Sequence, residues 1–280
     1  MLTLGINALN HDASFAVMDG KTLLHHQLGI NSRDALQFGK PDVIAYYERP
    51  WLKKTRHLYA GQYNHAFTLE DLPSRYLKSI GLGGIPIKYV PHHLSHAASA
   101  VYQSGYDNCA IIVADAIGEW DTVSIWNYDG KFTKIYSKKY PYSLGIFYSA
   151  FTKLLGMQPM KDENKLMRMS IDGDSLPYYI KVKNKFNMNL HKGVRDWGEV
   201  ENEVDIAASV QLIFEDQLTE FLRIARNVNN KLAFTGGCAY NKLSHERVAD
   251  FFEEYHVPKF PGDSGSSIGA AFYQNSQYFA

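Results

Sequence analysis

Residues 109–116 read CAIIVADA, an unbroken apolar run with an acid near its end. Successive side chains of a strand point to opposite faces, so a run without polar alternation predicts a strand buried on both. A sheet covered on each side follows. The 280 residues, 45% of them apolar, suffice to bury such a core in one large or two small domains. The 29 Lys and Arg balance the 29 Asp and Glu. That balance excludes holding nucleic acid by bulk electrostatics alone and leaves room for a local basic patch. No apolar run reaches the roughly 18 residues of a membrane span, so no membrane partner is expected. The opening MLTLGINALNHDAS has no basic stretch followed by an apolar one, and we expect no secretory signal. Cys109 and Cys238, both in apolar runs, read as buried thiols of a reducing compartment, which makes the cytoplasm the expected location.

One kind of unit is written twice. LTLGINA, SFAVMDG and TLLHHQLG read as three strands, with a hairpin turn at Asp19-Gly20. Residues 41–60 are aromatic and basic and read as mostly helical, interrupted by Pro50. IPIKYV (85–90) reads as a strand, and HHLSHAASAVYQSG as a helix from just after Pro91 to Gly105. The order then restarts. CAIIVADA, DTVSIWNYDG and KFTKIYSKKYP read as strands and SLGIFYSAFTKLLG as a helix. A long amphipathic helix spans 200–228, KLAFTGG is a strand entering a glycine turn, and SGSSIGAAFYQ is a short final helix. Lys-rich residues 172–196 are the least regular and read as a surface excursion. Two rounds of a β-rich α/β unit, 1–108 and 109–280, predict a duplicated actin-like, ribonuclease H-like architecture. In that class, shared with hexokinase and Hsp70, a nucleotide and metal cleft lies between the halves.

Chemistry concentrates at a few places. His92 and His96 stand four apart on the predicted helix, hence on one face, where both imidazoles can reach one cation. An exposed pair without a ligand has the same spacing. The His-Glu-x-x-His pattern is absent, which excludes a zinc peptidase of that type. Asp115 ends the buried strand, where an acid is costly unless it faces a cleft, meets a cation or caps the next turn. Asp263, before a Gly-Ser turn into the last helix, is either a fourth ligand or a helix cap. Two imidazoles and two carboxylates suit iron(II), zinc, manganese or cobalt. NHDAS (10–14), in the first strand turn, offers His11 as a general base near neutral pH. Asp12 beside it can orient that base, contact metal or nucleotide, or bond its own turn. The glycine turns at Gly236-Gly237 and Gly262 let backbone approach a ligand.

These residues resemble a family. NHDAS, HHLSHAASA (92–100), SLGIFYSAFTKLLG (143–156), ENKLM (163–167), DIAASVQ (205–211), GGCAYN (236–241) and GDSGSSIGAA (262–271) are collinear with motifs of the NodU/CmcH O-carbamoyltransferases. The resemblance implies that His92, His96, Asp115 and Asp263 bind a divalent metal, most often iron, in contact with the phosphate of a carbamoyl-adenylate. It implies His11, beside Asp12, as the catalytic histidine. It implies Gly236, Gly237, Asn241, Lys165 and Gly118 as nucleotide contacts, with carbamoyl phosphate as donor and ATP as co-substrate. Two departures stand out. NSRDALQFGK keeps only Arg33 and Lys40 of a Glu-Arg-x-x-Arg-x-Lys segment, and Arg168 stands where relatives have glycine. Longer relatives carry a C-terminal domain that forms the adenylate, and this chain resembles only their N-terminal domain. A separate adenylate-forming partner, adenylate formation here, and direct use of carbamoyl phosphate are all compatible with that.

The expected reaction is carbamoyl transfer to an alcohol, with His11 taking the acceptor proton. Rings and cations interleave from Tyr46 to Tyr59, and lysines cluster from Lys181 to Arg195. That is the pattern of base recognition in nucleic acid. It makes the 5-hydroxymethyl group of a modified DNA pyrimidine, flipped or single-stranded, an expected acceptor. The alternatives are a sugar or antibiotic hydroxyl, a non-catalytic nucleotide-binding subunit of a larger complex, and a sugar kinase of the same fold, which has no need of the histidine pair.

Overall fold

The structure, a computed structural model, describes residues 1–10 and 12–277. The first half runs β1 (Leu2–Asn7), β2 (Ser14–Asp19), β3 (Thr22–Leu28), α1 (Ser32–Leu36), β4 (Val43–Tyr46), α2 (Pro50–Tyr59), α3 (Tyr63–Phe67), α4 (Pro73–Ser79), β5 (Ile87–Tyr89) and α5 (His92–Ser104). The second runs β6 (Cys109–Gly118), β7 (Asp121–Tyr128), β8 (Phe132–Lys139), α6 (Leu144–Leu154), α7 (Glu163–Met169), α8 (Tyr179–Phe186), α9 (Glu203–Arg226), β9 (Lys231–Thr235), α10 (Ser244–Phe251), β10 (Glu254–His256) and α11 (Ser266–Ser276). Each half forms a five-stranded mixed sheet, ordered β3-β2-β1-β4-β5 and β10-β9-β6-β7-β8. In both, the first strand pairs antiparallel with the second and parallel with the fourth. One topology is used twice, and the fold is actin-like.

β6 accounts for the unbroken apolar run. Cys109, Ile111 and Val113 enter the core shared with β1, β4 and α5, whereas Ala110, Ile112 and Ala114 enter the core shared with α6 and α9. All six are fully buried. Alternation therefore feeds two cores rather than a core and water, so no polar period appears. Each buried Ile or Val there contributes about 1.5–3 kcal/mol relative to exposure. Both cysteines are free and buried, and burial pushes the Cys109 thiol up to about 12.

α5 follows Pro91 and stops at Gly105, which takes the left-handed conformation (φ +68°). α11 packs against α5 and also against β1 and β2. A Cβ at Gly269 of α11 would overlap the Ser95 carbonyl oxygen, so this approach requires glycine. A helix late in the second half thus covers the sheet of the first.

Two sequence readings are corrected. Residues 41–60 are not mostly helical: Val43–Tyr46 form β4, buried throughout and parallel to β1. Pro50 does not interrupt a helix but opens α2, where its missing N–H and fixed φ suit the first turn. Residues 172–196 are not only a surface excursion. They contain α8, whose Val182 and Phe186, four apart, enter the core together with Leu190.

Candidate metal centre

Four side chains converge between the halves. α5 presents His92 and His96 one turn apart. Asp115 follows Val113 on the same strand parity, facing α5, and the turn into α11 carries Asp263. One ligand atom from each lies within 4.8 Å of all the others. His92 Nε2 stands 3.1 Å from His96 Nε2, 3.2 Å from Asp115 Oδ2 and 3.4 Å from Asp263 Oδ1. His96 Nε2 stands 3.2 Å from Asp263 Oδ1 and 3.6 Å from Asp115 Oδ2. Donors about 2.0–2.1 Å from one ion at tetrahedral angles would stand roughly 3.3 Å apart. The five separations above, 3.1–3.6 Å, lie near that figure.

The electrostatics point the same way. Burial opposes protonation of His92 and His96, yet Asp263 and Asp115 outweigh it and hold both imidazoles above their ordinary pKa. Burial likewise opposes ionisation of Asp115 and Asp263, and the facing histidines reverse it, leaving both below the usual carboxylate range. The cluster is arranged to enclose positive charge, as protons or as one divalent cation. Its nitrogen and oxygen donors suit iron(II), zinc, manganese or cobalt.

The four side chains are themselves held. Asp115 Oδ1 accepts from the Ala116 N–H at 2.8 Å and the Gly237 N–H at 3.3 Å. Asn10 Nδ2 donates to Asp263 Oδ2 at 2.9 Å, and Asn7 Nδ2 to the Asp263 carbonyl at 2.7 Å. His93, between His92 and His96, faces elsewhere, with Nδ1 2.7 Å from Ser124 Oγ. Burial first, and then the charge of His92, push its pKa well down.

Asp115 and Asp263 also form part of the wall of a cavity of about 600 Å³. Asp12, Gly237 and Asn241 line it, and Asp12 has partners within the structure. His11 lies outside the described residues. Gly236 (φ +91°) sits behind the turn against the Ala114 backbone. Gly118 packs against the His92 and His93 rings, where a Cβ would overlap both. Neither glycine reaches the cavity wall, and nor does Lys165, whose ammonium pairs with Asp162 at 2.9 Å on the exposed side of α7. The cations on the wall are instead Lys161, Arg168 and Lys242. Helical spacing over ENKLMRM could have shown this, since Asn164, Met167 and Arg168 share a face that excludes Lys165.

Beneath the wall lies a polar network that sequence reasoning missed. The Tyr148 hydroxyl and Asn241 Nδ2 both donate to Gln211 Oε1 at 2.8 Å. Gln211 Nε2 donates to Asn241 Oδ1 at 3.1 Å and to Glu215 Oε1 at 2.7 Å.

The two basic stretches are largely engaged within the protein. Arg49 pairs with Glu119 at 2.5 Å and Lys53 with Glu48 at 2.7 Å, and Lys54 donates to the Thr68 carbonyl. Lys181 lies 4.3 Å over the Trp197 ring, and Lys185 donates to the Arg195 carbonyl at 2.9 Å. Trp51 and Tyr59 remain 51% and 65% exposed. No helix among the described residues is long and apolar enough to cross a membrane.

Residues 51–180 and 178–272 match the family model described as carbamoyltransferase N-terminus. The uncharacterized protein sll1178 of Synechocystis sp. is 29% identical over 332 aligned positions, covering 96% of this chain and 52% of that protein. Nodulation protein NolNO of Sinorhizobium fredii is 25% identical over 216, covering 68% of this chain and 32% of that protein. The chain thus spans about half, or less, of the length of these relatives. Among solved structures, full-length HypF in its phosphate- and nucleotide-bound form is similar with a TM-score of 0.61 at 16% identity. That likeness, one of fold, covers 100% of this chain and 47% of the other. The family match includes all four converging residues, and the chain belongs to the carbamoyltransferase N-terminus family.

Proposed function

We propose that this chain transfers a carbamoyl group to an acceptor hydroxyl from carbamoyl phosphate, used directly or as carbamoyl-adenylate. The observation that carries the reading is that Asp115 and Asp263 belong at once to the four-ligand cluster and to the cavity wall. A phosphate at the cluster and a nucleotide in the cavity can then be parts of one molecule. Lys161, Arg168 and Lys242 supply charge for its phosphate, and Met167 and Phe214 supply apolar surface for a base. The Gln211 network fixes the Asn241 amide and the Tyr148 hydroxyl as a rigid polar edge.

In the reaction, the acceptor oxygen bonds to the carbamoyl carbon and its proton passes to a base. The bond from that carbon to the phosphate oxygen then breaks, and its electron pair leaves with the phosphate. His11, next to the cavity residue Asp12, is the proposed base. A divalent ion held by His92, His96, Asp115 and Asp263 would supply charge neutralisation for the leaving phosphate. The Gly237 N–H is engaged by Asp115, so the glycine turn shapes the site through that ligand rather than by donating to the carbamoyl oxygen.

For the acceptor, exposed Trp51 and Tyr59 offer stacking faces to an extruded 5-hydroxymethylpyrimidine of DNA. The internal pairing of Arg49 and Lys53 favours instead a small sugar or antibiotic hydroxyl. The test supplies iron- or zinc-loaded protein with carbamoyl phosphate, with and without ATP. Hydroxymethylcytosine oligonucleotide and an aminoglycoside are offered in parallel and read by mass spectrometry. We expect a mass gain of one carbamoyl on one of them, slowed roughly 10²–10⁴-fold in His11→Ala with nucleotide binding kept. Nucleotide binding with no mass gain on any alcohol would replace transfer with the non-catalytic subunit reading.

A further inference from the structure

We propose that Glu48 is a positioning residue for the cation centre, holding His92 in the tautomer that aims Nε2 at the ion. The inference rests on the reading that the four converging ligands hold a divalent cation.

His92 turns Nε2 toward the other three ligands, at 3.1–3.4 Å. A ring nitrogen that ligates a cation must offer a lone pair, so the ring proton must then sit on Nδ1. Nδ1 is buried and has no hydrogen-bond partner among the described residues. A carboxylate oxygen stands close to it: Glu48 Oε2, at 4.0 Å. Metal-bound histidines ordinarily donate their second N–H to such a group, which fixes tautomer and ring orientation.

Glu48 is engaged by Lys53 and by the Tyr47 side chain as well as facing His92. It follows β4 and is 5% exposed, an expensive place for a carboxylate. Lys53 Nζ pairs with Oε1 at 2.7 Å, which leaves Oε2 facing His92. A shift of about 1.2 Å closes that gap to an ordinary hydrogen bond of about 2.8 Å. The ring itself is already gripped: Tyr47 packs on it with centroids 5.2 Å apart, and Gly118 leaves no room beside it. What remains to be set is the tautomer. Neighbouring His93 has a different kind of partner: its Nδ1 stands 2.7 Å from Ser124 Oγ, which also accepts from Trp126 Nε1 at 2.8 Å.

The test titrates zinc and cobalt(II) into the metal-free full chain. Wild type is compared with Glu48→Ala, Glu48→Gln and Asp115→Asn, each shown to fold by circular dichroism. Glu48→Ala should lose about 10–100-fold in affinity and change the cobalt absorption spectrum. Glu48→Gln, whose amide oxygen still accepts, should lose less. Nitrogen-15 NMR of zinc-loaded wild type should place the His92 proton on Nδ1. Unchanged affinity in Glu48→Ala, alongside lost affinity in Asp115→Asn, overturns the role of Glu48 and leaves the centre standing. Wild type that binds neither ion stoichiometrically, or Asp115→Asn that binds as wild type does, sinks the centre itself. Should Glu48→Ala not fold, a His92 Nδ1 without its proton in zinc-loaded wild type overturns the proposal.

Discussion

After its fifth strand each half enters a helix, and the two junctions have diverged. β5 leads into α5, which carries His92 and His96 on one face; β10 leads into α11 through a turn that carries Asp263. The first strands differ in the same way. β1 ends at Asn7, whose side chain donates to the Asp263 carbonyl, whereas β6 carries a member of the cluster, Asp115. After the fourth strands, one half places Tyr47 and Glu48 and the other a glycine turn. The cavity is more one-sided still. Of its described lining residues, only Asp12 comes from before residue 109. Repeating a scaffold repeats positions at strand ends, and the chemistry at each position is free to differ. Here the first half supplies imidazoles, and the second supplies carboxylates and most of the cavity wall.

The strongest challenge to that division removes one ligand from each half. His96→Ala and Asp263→Ala should each weaken zinc binding by more than the roughly 10–100-fold of an outer-shell change, read by calorimetry. A variant in either half that binds like wild type would break the shared site. Next come the cores. Phe15 of the first half and Phe147 of the second are both fully buried, and truncating either to Ala should cost about 3–5 kcal/mol in denaturant unfolding. One shared transition in both variants marks a single cooperative unit, and two separate transitions would divide the halves. Gln211→Ala sharpens the comparison within the second half. It strips partners from Tyr148 and Asn241, costs about 1–3 kcal/mol, and should weaken binding of a fluorescent ATP analogue while zinc affinity stays unchanged.

The smallest effect is in pH. In metal-free protein, His92 and His96 have raised pKa values. Their stabilisation is complete below an unfolded value of about 6.5 and fades as pH rises through the folded values. Asp115 and Asp263 are lowered, so theirs is present above about pH 4 and fades as pH falls. The Tm of metal-free protein should therefore peak between about pH 4 and pH 6.5. Zinc affinity should instead climb with pH, because the ligands must shed protons. Metal-free stability that rises steadily above about pH 6.5 contradicts this assignment of charge.

Much of this architecture is legible in the sequence. α5 lies between two punctuation marks, Pro91 and Gly105, and its histidine spacing fixes a shared face. The apolar run of β6 gave away a strand with two cores. β4 was hidden because VIAYY, between Pro41 and Pro50, is too short for periodicity to separate strand from helix, and its aromatic, basic surroundings resemble a helical face. α8 was hidden by its lysines, which flank Val182 and Phe186 without displacing them. Contacts such as those of Glu48 and Gln211 join residues far apart in the chain, and no local pattern announces them. Lys165 illustrates the limit at single-residue scale, because a motif names a segment and only packing decides which side of it meets the cavity.

The return of α11 to the first sheet carries a consequence for how the protein is made. While the ribosome has delivered only the first hundred or so residues, β1 and β2 lack the helix that will shield them, and Asp263 does not yet exist. Until α11 is made, the face of the first sheet that it covers stays unshielded. A cation at the proposed centre could be captured only after Asp263 has emerged, so it could not seed the folding of the first half.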